Sequence, residues 1–394
     1  MKIAIVGGGI GGMATALALL NRGFKVQVYE QANELREIGA GVQISPNGCR
    51  ALNSLGILKT LQSLSFAPES KVIRHWQTGR SWKLLELGGS AKEKFGFPFL
   101  TVFRPDLLKV LTEAVVQQQA DAIHLQAKCI GISVEENTAK ITLSSGLEIS
   151  ADLVIGADGV HSAVRSSLYD QKEPTFTGLA AFRSLIPIEK IPKKIATMIG
   201  SNWVGPGGHI VHYPLQGGKV MNLVCTHEIG KWTHPEWKAK ASIEECHEYF
   251  HDWHEEVKTL IELAPSFSKW ALISKSFLPS WTRGCVTLLG DACHPTLPSF
   301  AQGAVMAIED GIVLARCLVS RNSIAEALQS YEHLRLNRTY DIVRRADDFM
   351  PNFNHPCLKD PIESNNFIST VWSPEAIRER YDWMFNYDVE TVKI

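Results

Sequence analysis

The chain opens on an unbroken apolar, β-branched run, Ile3–Val6, of the type a strand takes when both its faces are buried in a parallel sheet. A glycine cluster follows, then an apolar-rich segment at helical spacing that runs to Arg22 and stops at Gly23. A second short strand, Lys25–Tyr29, ends on Glu30. Apolar strand patterns return at Ala151–Ile155 and Val286–Leu289, each closing on a turn that carries glycine and aspartate. Between them, roughly 71–85 and 175–230 read as mostly antiparallel strands. Helical spacing dominates late in the chain, in Val305–Val319 and 323–348. This order predicts an α/β protein. One domain with a parallel sheet is assembled from 1–70, 97–174 and 277–345. A mostly antiparallel β domain, 71–96 and 175–276, is inserted into it. C-terminal helices lead into an extension, 346–394, whose aromatics (Trp372, Tyr381, Trp383, Phe385, Tyr387) call for a docking surface on the chain's own body or on a partner subunit.

Composition narrows the class. Of 394 residues, 45% are apolar and 21% charged, and the net charge is −1, the balance of an ordinary globular protein with no bulk pull toward nucleic acid or an anionic membrane. No apolar run approaches the ~20 residues of a spanning helix. The chain begins directly on a strand, without the pattern of a signal peptide. Its 8 cysteines stand singly, with no CxxC pair, so they are expected to be reduced and structural, in the cytoplasm, and no metal site is expected.

The chemistry lies in three separated glycine-bearing segments. Gly7, Gly9 and Gly12 form G-x-G-x-x-G between a strand and a helix, the Rossmann-like arrangement. There Gly7 makes the tight turn, Gly9 lets backbone approach a pyrophosphate, and Gly12 lets the helix pack on the strand. The helix N-terminus offers free N–H groups to the phosphates, and Glu30 can accept both hydroxyls of an adenosine ribose, which disfavours a 2′-phosphate there. In the second segment, Gly156-Ala157-Asp158-Gly159, Asp158 sits at a strand's C-terminal edge, where such folds place ligands. Its plainer reading is a helix cap that pairs with Arg165. In the third, Gly290-Asp291, the acid is placed to accept a hydroxyl, and Gly303-Ala304 opens a helix whose positive end faces the same region.

The three segments together resemble the group A FAD-dependent aromatic hydroxylases, the p-hydroxybenzoate hydroxylase family. The chain is most similar to the salicylate, 3-hydroxybenzoate and 6-hydroxynicotinate monooxygenases, over nearly its whole length to Arg345. The resemblance implies a Rossmann-like FAD-binding domain with FAD contacts at Gly11, Glu30, Gln31, Val42, Arg104, Asp291, Gly303 and Ala304. Arg36 and Gly39–Gly41 match the loop beside the isoalloxazine, and Asp158 belongs to a motif associated with both FAD and NAD(P)H. No second G-x-G-x-x-G is present, so NADH or NADPH is implied as a transient co-substrate. The implied activity is hydroxylation of a small aromatic acid with O2, by a monomer or homodimer. Reaction on a larger natural product, and a flavin-binding protein without catalysis, are the alternatives.

Within the inserted domain, the run 207–214 places His209, Val211 and Tyr213 on one face of a strand and Ile210 and His212 on the other. A His and a Tyr over a flavin suit a phenolic substrate, whose carboxylate or hydroxyl they can hydrogen-bond and whose phenol proton they can help remove. The plain alternative is a solvated outer face. In the resemblance, 6-hydroxynicotinate hydroxylases use His and Tyr at this spacing. This chain departs from them at Ser299, where they supply a second His, and from the 3-hydroxybenzoate enzymes at Pro298, so the ring is left open. His294 reads as loop architecture, and His247, His251 and His254 as the solvated face of one helix.

Overall fold

A computed structural model of the chain describes residues 1–35, 40–169 and 173–394. Ile3–Val6 pairs in parallel with Val26–Tyr29 on one side and Leu153–Gly156 on the other. Val286–Leu288 and Ile123–His124 continue the sheet outward, and Thr282–Arg283 closes one edge antiparallel. All four residues of the first strand are buried, as its uninterrupted apolar run requires. The third strand starts later than the apolar pattern alone places it. Asp152 accepts the Lys2 N–H at 2.6 Å, ends the antiparallel strand Glu148–Ala151, and lets the parallel strand begin at Leu153. The first helix, Ile10–Leu20, is likewise shorter than its pattern, because Asn21 to Gly23 tighten into a turn with Gly23 at φ +82°.

The inserted domain is an eight-stranded sheet. Its order is Lys238–Ala241, Phe267–Ser274, Thr175–Pro187, Val220–Glu228, Gly208–Leu215, Gly200–Gly205, Ser70–His75 and Ser81–Glu86. Neighbours are antiparallel except Gly200–Gly205 beside Ser70–His75, which run parallel. One face buries Phe182, Trp203, Ile210 and Leu223 under Ile243–Phe250 and Glu255–Glu262. The histidine-rich segment is therefore two helices rather than one. His254 leaves the helical region, and its Nδ1 accepts the Glu256 N–H to start the second.

Helix Gly303–Ser320 packs on Ile10–Leu20 so closely that a Cβ at Gly311 would stand 2.5 Å from Thr15 Oγ1. Ile324–Phe349 follows, then Pro361–Val371 and Pro374–Phe385. The extension docks on the chain's own body. Arg50 donates to the carbonyls of Phe95 (2.7 Å) and Tyr387 (2.6 Å), and Arg338 stacks over the Tyr387 ring at 3.6 Å. All eight cysteines are free thiols. Among the described residues, no helix is long and apolar enough to cross a membrane.

Candidate active site

The glycines of the first turn divide by what surrounds them. A Cβ at Gly12 would lie 1.9 Å from the Gly7 carbonyl oxygen, and one at Gly7, already at φ +106°, would lie 2.4 Å from that of Ala157. Both are close-packing positions. Gly11 is nearly as tight, 3.1 Å from Ala307 Cβ and Leu289 Cδ1. At Gly9, which precedes the helix, a Cβ would meet no atom of the described residues within 4 Å. Here the backbone is bare beside an uncapped helix N-terminus with no acid in its first turn, the electrostatics an anion needs.

Glu30 is held at the edge of this cradle. Its Oε2 accepts the Gly8 N–H at 2.6 Å and its Oε1 the Ala32 N–H at 2.9 Å, which orients the carboxylate across the turn. Gln31 is exposed beside it. Arg36 and Gly39 lie outside the described residues.

The second segment takes its plainer reading. Asp158 accepts from Ser162 Oγ (2.6 Å), Ala163 N (2.7 Å) and Val164 N (3.1 Å), so both its oxygens cap the helix Ala163–Leu168. Burial raises its pKa despite these bonds. Arg165 does not pair with it. Its guanidinium reaches the carbonyls of Ser276 (2.7 Å) and Ala292 (3.3 Å) and so ties the second segment to the third.

In that third segment Asp291 is exposed on the turn after Val286–Leu288. The helix from Gly303 has no side-chain cap and no acid in its first turn, and Gly303 and Ala304 are only half-buried. Under this end lies a buried network that the motifs did not reveal. Asp310 accepts from Gly290 N (3.0 Å), His294 Nε2 (2.7 Å) and Arg335 Nε (2.7 Å), while Glu309 takes Arg335, Arg338 and Asn47. Burial alone would raise the Asp310 carboxyl, but His294 and Arg335 outweigh it and hold it at about 2. His294 is therefore a strut of the loop. Two adjacent acids inside an apolar helix were the available sequence signal, because buried carboxylates need partners.

Val42 sits mid-strand in Gly41–Ile44, paired with Val102, and Arg104 N donates to the Ala40 carbonyl at 3.1 Å. This strand faces the eight-stranded sheet. The Gly41 N–H donates to Asn222 Oδ1 (2.9 Å), and a Cβ at Gly41 would stand 2.6 Å from Tyr213 Cε2. Tyr213 is therefore stacked on bare backbone, with Gln43, Arg183 and Arg104 acting on its hydroxyl. Burial nevertheless pushes its pKa well up. On the same face His209 is 5% exposed and its pKa is lowered to about 4, first by burial. His212 points the opposite way and accepts the Trp203 indole N–H at 3.1 Å. The structure also adds residues that strand patterning left unremarked. Lys71 donates to Gln43 Oε1 at 3.0 Å, and burial lowers its ammonium to about 8. Arg183 lies over Trp270 at 5.2 Å and makes no ion pair with the described residues; burial, then Arg104, brings it to about 10. Asn354, from the C-terminal extension, meets His209.

The whole arrangement fits FAD. It offers bare backbone at an uncapped helix N-terminus, a carboxylate oriented beside it, a second uncapped helix end, and a half-buried strand facing a polar sheet. The sequence matches the model of a family described as FAD binding domain over residues 1–346. A 3-amino-4-hydroxybenzoate 2-monooxygenase of Streptomyces cremeus is 35% identical, covering 90% of this chain and 88% of that one. A 6-hydroxynicotinate 3-monooxygenase of Pseudomonas fluorescens is 34% identical, covering 100% and 96%. A solved salicylate hydroxylase substrate complex superposes with a TM-score of 0.82 over 99% of this chain and 96% of the other, at 22% identity, a likeness of fold. The chain belongs to the FAD binding domain family, as one of its FAD-dependent aromatic-ring monooxygenases.

Proposed function

We propose that this enzyme hydroxylates a small aromatic acid bearing a ring hydroxyl, of the salicylate, hydroxybenzoate or hydroxynicotinate type, at the expense of NADH or NADPH and O2. One observation carries the reading. His209 and Tyr213 share the buried face opposite Gly41–Ile44, and burial drives them to complementary proton states. With its pKa near 4, His209 is a neutral imidazole at physiological pH and can accept a proton. Tyr213, pushed up, keeps its proton and can donate. A ring hydroxyl placed at His209 loses its proton as the ring reacts, which makes the ring carbon more nucleophilic. Arg183, with Arg104 near it, supplies positive potential for a carboxylate on that face. The substrates in the names of both relatives, 3-amino-4-hydroxybenzoate and 6-hydroxynicotinate, combine a carboxylate with a ring hydroxyl. Bound FAD supplies the electrons and the activated oxygen. The protein positions the ring, keeps water away and sets the protons, with the helix end at Gly303 and the Glu30 cradle as the residues that hold the cofactor.

The test is a panel of small aromatic acids and bulky polycycles, scored by substrate-stimulated NAD(P)H oxidation and by hydroxylated product. Turnover of a polycycle but of no aromatic acid would refute the proposal.

A further inference from the structure

The C-terminal extension reaches the substrate face through one residue. Asn354 lies beyond the segment matched by the family model, yet it is 5% exposed and its Oδ1 stands 2.7 Å from His209 Nδ1. Its backbone is pinned at both ends: its N–H donates to the Pro351 carbonyl at 3.2 Å, and its own carbonyl accepts the Gly207 N–H at 3.0 Å. The neighbouring Phe353 ring lies 5.1 Å from the imidazole and packs against Phe349 and Trp372. Amide and imidazole are thus held in one relative orientation.

We infer that Asn354 is a positioning residue that fixes the tautomer of His209 and aims its basic nitrogen at the substrate. The inference rests on the reading of His209 as the group that takes the ring hydroxyl's proton. As the amide is oriented here its oxygen, which can only accept, faces Nδ1, and this arrangement puts the hydrogen of the neutral imidazole on Nδ1 and leaves the lone pair on Nε2. Nε2 makes no hydrogen bond to the described residues. Of the neighbouring titratable groups, His227 on the adjoining strand pairs with Gly208 and lies on the opposite face of the sheet, packed on Tyr249 and Phe250, while His75, across Val204, is held by the Leu358 carbonyl at 3.1 Å. Among the described residues no carboxylate contacts the ring. The choice of amide over acid follows: an aspartate here would stabilise the imidazolium and disable the base, whereas asparagine orients the ring without charging it.

The experiment uses the FAD-loaded protein labelled with 15N-histidine, with His209→Gln to identify the His209 signals. Wild type should show a protonated Nδ1 and an unprotonated Nε2. Asn354→Ala should give a mixture of tautomers and at least about a tenfold loss of hydroxylation at unchanged FAD content. The near-isosteric Asn354→Asp, which preserves packing, should keep the imidazolium to higher pH and move the acid limb of kcat/KM upward. An Nε2–H tautomer in wild type, or an unaltered tautomer in Asn354→Ala, would overturn the inference. If the tautomer shifts and hydroxylation is unaffected, the fault lies with His209 as proton acceptor, and the positioning role falls with it.

Discussion

Gly9→Ala separates what the first turn does for the fold from what it does for the cofactor. At Gly9 the backbone is extended, φ −72° and ψ −175°, so alanine adopts it without strain, and its methyl meets no atom of the described residues within 4 Å. Alanine in place of glycine at this N-cap costs about 0.5–1 kcal/mol, which the stiffer unfolded chain offsets with about 0.4–1 kcal/mol. The apoprotein should therefore stay within about 0.5 kcal/mol of wild type. What the methyl would meet is the ligand. A pyrophosphate lying against this backbone would be pushed off by about 1 Å and lose at least one hydrogen bond to a charged group, worth about 1.5–3 kcal/mol, or a 10- to 150-fold weaker Kd. Urea unfolding of the apoprotein and FAD titration by fluorescence quenching measure the two quantities separately. The reasoning is refuted if FAD binds within threefold of wild type, or if the apoprotein loses more than about 1.5 kcal/mol. Gly12→Ala is the converse: with its methyl 1.9 Å from a backbone oxygen, it should fail in folding before binding can be asked.

Glu30→Ala should weaken FAD by about 1–3 kcal/mol, read by the same titration, because it removes the ribose acceptor and releases Gly8 and Ala32 N–H groups. His209→Ala and Tyr213→Phe should lower product formed per NAD(P)H consumed well below His212→Ala, while His212→Ala costs about 1–3 kcal/mol in urea by orphaning the Trp203 indole; the reverse ranking of coupling would invert the face assignment. His209 at about 4 and His212 at about 3 lie below their unfolded value near 6.5, so the unfolded chain binds more protons in between. Their contribution is complete above pH 6.5 and is lost as pH falls toward 4, at ~1.4 kcal/mol per unit for each group, and a flat urea midpoint from pH 7 to 5 would contradict it. Asp310→Asn should cost about 1.5–3 kcal/mol, seen as a lowered Tm, because it removes one of the two carboxylates that hold buried Arg335 and weakens the charge-assisted bonds to it, while Glu309 remains.

Local order along the chain was enough for the geometry of the first turn. A strand, a glycine turn and a helix are contiguous, so the close packing at Gly7 and Gly12 and the place of Glu30 beside the turn follow from spacing alone. The two-residue period likewise placed His209 and Tyr213 on one face and His212 on the other, since alternation is a property of the strand itself. What faced them was beyond any local pattern. Asn354 is 145 residues from His209, and Gly41, against which Tyr213 stacks, belongs to a different sheet. Asp158 shows the same limit in the other direction: position at a strand edge suits a ligand or a cap equally, and only the folded helix start, with three donors converging, decided for the cap. Burial is likewise a tertiary quantity. The imidazole and phenol reach their proton states because two domains and a C-terminal extension close over them and remove water, and no sequence window contains all three.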